Sequence, residues 1–376
     1  MALKCIIERD HFYEGLNSLQ NITSKKGTLA ILLNVLIETS NDGLVLTGTD
    51  MEIALRIIIP AKILEEGAIT IPAKKIFEIV RESGPDSITI EEKENSWVHI
   101  LTGQSSYNLA GMPGSDFPQF PEYDEDNFIS IESYIFQELI EKTIYSIAGE
   151  QESVYTLTSV LLRKEVVNDT TKLKMISSDG HRLTVMEKDL PETLEKLQPG
   201  ETTLIPKRGV QEWKKFCDDH DNFEIALEDK RIILKDDNAT MIIRLKDGEF
   251  PNYKAIIDAV NQTYCMKIRR QPFLESLKRI NLFTEDLFHT ISFELESDHM
   301  VLSSQNVELG NARDEMSVEY NGQPLKLGFN CRYFIETLQV MEGETVNVYV
   351  NSDASPCLLN SDEDQGFISI IMPMHL

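Results

Sequence analysis

Basic residues are scarce in this chain of 376 residues: 36 lysines and arginines face 62 aspartates and glutamates, a formal net charge of −26. Such a balance excludes a protein that grips a polyanion over its whole surface. Long apolar runs are also lacking. The longest, LAILLNVLI from Leu29 to Ile37, is too short to span a bilayer, and the opening MALKCIIERDHFYEGL holds no apolar stretch of the export type. The expectation is a cytoplasmic protein without a membrane partner. The five cysteines, Cys5, Cys217, Cys265, Cys331 and Cys357, are odd in number and far apart, with no CxxC or Cys/His ligand spacing. That excludes a disulfide framework or zinc site and predicts free, mostly buried thiols. Seven scattered histidines give no metal constellation, and no cofactor is expected. Phosphate-loop, dinucleotide, HExxH and GxSxG patterns are absent. Asp179 and His181, with Ser177 or Ser178, are the residue types of acid–base or nucleophilic chemistry. Placed this close along a strand and turn they point in different directions, so no catalytic role is expected.

What is present is a pattern run through three times. The first copy reads LVLTGTDMEI, AITIPAKKIFEIV, SITIEEKENSWVHILTG and a closing SYNLAGMPGSDFPQF; the second reads LKMISSDGHRLTV, TTLIPKRGVQEWKKF, NFEIALEDKRIILKDD and a closing MIIRLKDGEFPNY. The third reads MVLSSQNVEL, LKLGFNCRYFIETL, TVNVYVNSDASPCLL and closes with GFISIIMPMHL. Phe117-Pro118 recurs as Phe250-Pro251 and Pro72 as Pro206, at roughly 125 to 135 residues, a domain-sized period rather than a solenoid repeat. The expected domains are 1–127, 128–262 and 263–376, each long enough for its own core.

Helical spacing of apolar residues marks 10–26 (Phe12, Leu16, Leu19, Ile22), 133–149 (Phe136, Ile140, Ile144, Ile147) and the segment around Phe273, Leu274, Leu277 and Ile280. Three more helices are expected from Pro72, Pro206 and Asn330, the two prolines suiting a first helical turn. Elsewhere apolar residues alternate, as at Val346, Val348 and Val350, with EEKENS, LEDK and NSDAS as turns. Each copy therefore reads as α+β, two amphipathic helices on mostly antiparallel sheet. The six helical segments carry a net +5, which leaves −31 on the rest. On the helix from Pro206, Lys207, Arg208, Gln211, Lys214 and Lys215 share one face, opposite Val210, Trp213 and Phe216; Arg269, Arg270, Lys278 and Arg279 form a second basic group. A solvated face is the ordinary reading of one such helix. Repeated basic helices in an acidic chain fit nonspecific phosphate contact without base reading.

The motifs TGTDMEI, SSDGHRLTV, IPKRGV, DGEFPNY and MPMHL, in this order over the whole chain, resemble the bacterial DNA polymerase III beta subunit family, the sliding clamps. The resemblance implies a non-catalytic processivity factor: three similar domains of the clamp fold, pairing head to tail as a homodimeric ring around double-stranded DNA, with helices lining the hole. It implies as partners the polymerase III alpha subunit, the clamp-loader complex, and other polymerases, mismatch-repair proteins and ligase. These would share one peptide cleft. A structural scaffold of three α+β repeats unrelated to DNA is the alternative.

Matched residue by residue, the resemblance puts into the cleft Leu157, Ser178, Gly180, His181, Arg182, Leu183, Pro251 and Ile256 from the middle copy. From the last copy it adds Asn330, Tyr333, Ile370, Ile371, Met372, Pro373 and Met374. Apolar walls with adaptable methionines suit a peptide groove, although Met372, Pro373 and Met374 alone read as an edge strand with core methionines. The DNA-facing residues it implies are Lys26, Gln151, Tyr155, Lys207, Arg208, Lys214 and Lys215. The ring interface would join Lys75 and Leu109 to Leu282 and Phe283. Ala255, His375 and Ala30 depart from the family's common residues, which leaves the peptide preference open.

Overall fold

The computed structural model describes residues 2–23, 29–84, 87–150, 154–190, 194–228, 230–284, 289–306 and 308–375. Seven α-helices lie among them: α1 (Arg9–Leu19), α2 (Ala73–Glu82), α3 (Ser133–Glu141), α4 (Lys207–Asp219), α5 (Tyr253–Asp258), α6 (Arg270–Ile280) and α7 (Cys331–Val340). All paired strands are antiparallel. Contacts gather the chain into two units, Met1–Ser133 with Lys215–Leu245, and Tyr134–Lys214 with Lys246–Leu376.

The first unit holds a five-stranded and a nine-stranded sheet. α1 buries Phe12, Leu16 and Leu19, the apolar face that its spacing predicts, and α2 buries Ile76, Ile79 and Val80. In the nine-stranded sheet, Asn34–Ser40, Gly43–Thr49 and Ile53–Ile59 form a meander, and Ile53–Ile59 pairs onward with Ala239–Arg244 from the second sequence copy.

The second unit repeats the plan. Ser159–Val167, Thr170–Ser178 and Arg182–Asp189 form the meander, and Arg182–Asp189 pairs with the closing strand Phe367–Ile371 of the third copy, with Leu183 opposite Ile370. A four-stranded sheet carries the third copy's own meander, Thr290–Leu295, His299–Asn306 and Gly310–Ser317. Phe273, Phe293, Phe329 and Phe334 fill the core under α6 and α7, with ring centroids 5.0 to 6.1 Å apart.

Several sequence expectations shift. Pro72 and Pro206 end the strands Ala68–Pro72 and Thr203–Pro206 instead of opening helices; at a strand's last residue the missing N–H costs little, and each helix starts one residue later. α3 stops at Glu141, short of the expected 149. Thr143 Oγ1 donates to the Leu139 carbonyl at 2.7 Å, a local bond that competes with further helix, and a short 3-10 turn follows at Ile144–Ser146. α1 ends at Leu19, and α5 falls in a stretch where no helix is expected from apolar spacing. The five cysteines are free, four of them buried. Burial pushes the thiols of Cys5 and Cys331 up to about 12, which makes them inert.

Candidate peptide cleft and DNA face

The cleft candidates converge on a tight turn between Thr170–Ser178 and Arg182–Asp189. Ser178 Oγ accepts from the Gly180 amide at 3.1 Å and donates to the Arg182 carbonyl at 2.7 Å. Asp179 Oδ1 accepts from the amides of His181 and Arg182 at 3.0 and 3.1 Å. Gly180 adopts a φ of +88°, the conformation that glycine tolerates best, and a Cβ there would meet Leu157 Cδ1 at 3.8 Å. Thus Leu157 and Gly180 lie side by side.

From this turn the strand runs into an apolar floor. Leu183 and Ile370 belong to one buried cluster with Leu161, Ile176, Val185, Leu204, Tyr253, Val260 and Leu358, against which Ile256 packs half-buried. The C-terminal segment is tied down beside it: the Met372 amide donates to the His181 carbonyl at 2.9 Å and the Met374 amide to the Gly328 carbonyl at 2.8 Å. Met372 stays 41% exposed, while Pro373 and Met374 are half-buried. His181 is exposed and its ring lies near parallel to Tyr333, 6.4 Å between centroids. Pro251 is exposed, and its carbonyl accepts from the Tyr253 amide.

Two expected cleft residues are occupied by structure. Asn330 is the N-cap of α7, its side chain accepting from the Arg332 amide at 2.9 Å. Arg182 is buried: it pairs with Asp179 at 2.9 Å and Glu336 at 2.5 Å, donates to the Tyr145 carbonyl at 2.8 Å, and lies over the rings of Tyr333 and Tyr145. Burial alone would favour the neutral form, yet the Asp179 and Glu336 carboxylates raise its already high pKa further. It pins the middle copy to the last one. Tyr145 completes the pin, its hydroxyl accepting from Thr184 at 3.0 Å and lying 3.1 Å from Thr337 Oγ1. Sequence reasoning missed Tyr145 and Glu336, which stand far from Arg182 along the chain; the Asp179–Arg182 spacing of three was visible.

Behind the floor, Glu165 receives Lys254, Tyr253 Oη and Lys174 at 2.9, 2.9 and 3.2 Å. Burial pushes its carboxyl up, but these hydrogen bonds prevail and hold it at about 2.

The expected DNA face is less uniform than its charges suggest. Lys26 and Gln151 lie outside the described residues. On α4, Val210, Trp213 and Phe216 are buried as expected, and Trp213 lies 4.4 Å from Phe136 between ring centroids. Lys207 Nζ donates to the Ile147 carbonyl at 2.8 Å and Lys214 pairs with Glu141 at 2.8 Å, whereas Lys215 is exposed and Arg208 half-buried. Tyr155 is 62% exposed, with Lys246 Nζ 4.4 Å from its ring centroid, a cation the sequence did not single out. In the second basic group, Arg270 binds the carbonyls of Gly343 and Leu338 and Arg279 pairs with Asp314. Of the interface candidates, Leu282 is 71% exposed and Phe283 and Leu109 are half-buried; Lys75 is exposed and pairs with Glu78.

Three domain models of one family match in the order of the repeats: the DNA polymerase III beta subunit N-terminal domain at residues 3–121, its central domain at 130–252 and its C-terminal domain at 259–375. The chain belongs to the DNA polymerase III beta subunit family. The beta sliding clamp of Chlamydia pneumoniae is 29% identical over 374 residues, covering all of this chain and 99% of that one. Among solved structures, the Caulobacter crescentus DNA polymerase sliding clamp matches with a TM-score of 0.90 at 25% identity. The Pseudomonas aeruginosa sliding clamp bound to griselimycin matches with a TM-score of 0.87 at 26%, each covering both chains completely. The fold is the three-domain α+β clamp fold and the function that of a DNA sliding clamp, a member of a processivity-factor family. No helix among the described residues is long and apolar enough to cross a membrane. Among the described residues there is no cluster of three or more metal-ligating side chains.

Proposed function

We propose that two copies of this clamp close head to tail into a ring around duplex DNA. One observation carries this reading. In both nine-stranded sheets, the closing strand of one copy pairs with the third meander strand of the copy before it: Ala239–Arg244 with Ile53–Ile59, and Phe367–Ile371 with Arg182–Asp189. Two strands of the pattern remain single-edged: Ser105–Ala110, the last of the five-stranded sheet, and Gly310–Ser317, the last of the four-stranded sheet. Both are largely exposed. Joined across protomers, they would complete two further nine-stranded sheets and leave no free edge of this kind. Leu109 lies on the first strand, and Lys75, Leu282 and Phe283 complete the proposed contact. The domains 1–127, 128–262 and 263–376 are then three turns of one plan.

Within the ring, Lys26, Gln151, Tyr155, Lys207, Arg208, Lys214 and Lys215 make exchangeable phosphate contacts without reading bases. Leu157, Gly180, His181, Leu183, Pro251, Ile256 and Tyr333, with Ile370 to Met374, form the cleft for short peptides of the polymerase III alpha subunit, the loader, other polymerases, mismatch-repair proteins and ligase. Ser178, Arg182 and Asn330 hold its shape. No catalysis is assigned: Asp179 and Ser178 are spent on the turn, and Ser177 Oγ donates to the Thr143 carbonyl in the core.

Sedimentation tests the ring. The native protein should run at twice the chain mass at micromolar concentration, and Leu282→Asp with Phe283→Asp should give monomers, because unpaired charge would be buried at an apolar contact at a cost of about 3 kcal/mol or more. A monomeric native protein, or a double variant of unchanged mass, contradicts the proposal.

A further inference from the structure

The first unit carries a cavity of about 390 Å³ with a largely apolar lining. Its walls come from the Thr47–Ala54 turn, the segment Pro118–Pro121, and Ile242 and Arg244 on the Ala239–Arg244 strand. Position by position, these are the sequence repeats of the cleft. Thr49 Oγ1 accepts from the Met51 amide at 3.0 Å and donates to the Ile53 carbonyl at 2.8 Å, as Ser178 does with Gly180 and Arg182. Asp50 Oδ1 accepts from the amides of Glu52 and Ile53, as Asp179 does from His181 and Arg182. The Arg244 amide donates to the Glu52 carbonyl at 2.8 Å, the counterpart of Met372 to His181. Ala54 stands opposite Ile242, as Leu183 stands opposite Ile370. Pro118 repeats Pro251.

The differences are chemical. Ala54 replaces Leu183, and Phe120, in the cavity wall, packs against the cluster that Ala54 and Ile242 form with Ala226 and Ile233. Met51 holds a φ of +75° where its counterpart is a glycine, and its side chain is 58% exposed at the cavity. Such strain concentrates at functional positions. The rim carries Lys230 and Arg244 against Glu52, while Arg231 is already paired with Glu228.

We infer that this cavity is a second ligand site, for a short extended peptide segment of a partner protein that presents one aliphatic or aromatic side chain beside a carboxylate. The anchor fills the space above Ala54 and Ile242 and stacks against Met51, and the carboxylate meets Arg244. The inference borrows its geometry from the cleft reading but concerns a separate set of residues, and the two are separable by experiment.

The test is methyl NMR on full-length protein carrying labelled methionine methyls, titrated with acetyl-Asp-Leu-Phe-amide and, in parallel, acetyl-Lys-Leu-Phe-amide. The acidic probe should shift the Met51 methyl saturably, and more tightly than the basic one. Arg244→Glu, an exposed position, should weaken that response by about tenfold. Ala54→Leu, which restores the cleft's side chain, should abolish it. A Met51 methyl that does not shift, equal affinity for the two probes, or an unchanged affinity in Arg244→Glu would overturn the site. The Met372 methyl reports on the cleft independently: silence there with a responding Met51 counts against the cleft reading alone.

Discussion

The most consequential single residues are those whose chemistry is spent on holding the proposed cleft in place. Arg182 and Glu165 are both ionised and largely removed from water, and each is surrounded by opposite charge or hydrogen-bond partners that outweigh the desolvation cost. For Glu165 this has a measurable sign. Its folded-state pKa is depressed from 4.5 to about 2, so the unfolded chain binds the proton more readily. The carboxylate therefore adds stability above pH 4.5 that is lost as pH falls toward 2. Glu165→Gln should cost on the order of 2 kcal/mol at neutral pH, allowing for screening, with the gap to the native protein closing over that acidic window. Urea unfolding at a series of pH values checks this. A gap that stays constant across the window contradicts it.

At the scale of the element, the segment after the strand Phe367–Ile371 matters most. Met372 and Met374 are anchored by main-chain bonds to His181 and Gly328, and the Met374 sulfur accepts from Thr290 Oγ1 while Met372 stays exposed. Deleting Met372 to Leu376 should weaken binding of a polymerase-derived peptide about 30-fold or more, as expected when buried anchor contacts worth roughly 2 kcal/mol are lost. The strand pairing that holds the floor stays intact. Calorimetry on the folded deletion variant decides, and undiminished affinity would place the peptide elsewhere. Part of the architecture was legible in the sequence: the SDGHRL turn and the apolar faces of α1 and α4 follow from local spacing. What stayed hidden depends on non-local geometry. Nothing near Arg182 in the chain announces Tyr145 or Glu336, and nothing in IPKRGV reveals that Lys207 turns to the Ile147 carbonyl. The early end of α3, where the Thr143 amide turns to the Ile140 carbonyl, leaves no mark in the apolar spacing.

For the whole molecule, the threefold repeat and the order of its motifs were legible in the sequence, but the helix α5 was not, nor that the nine-stranded sheets run from one copy into the next. Strand pairing across more than a hundred residues leaves no local trace; it follows from which edges are complementary once the meanders form. In the proposed ring, that same rule, extended by one step, puts the edges of the five-stranded and four-stranded sheets at the seam between protomers. The proposed ring would also reconcile a chain of net −26 with DNA: a closed ring is held by topology, so weak phosphate contacts suffice and strong ones would arrest sliding. The direct measurement is retention on DNA after loading by a clamp loader onto a nicked circle, followed by a single restriction cut. The account predicts that the protein stays on the circle through gel filtration in high salt and is released when the circle is linearised. Loss from the intact circle under those conditions, or equal retention on the linear product, would contradict it.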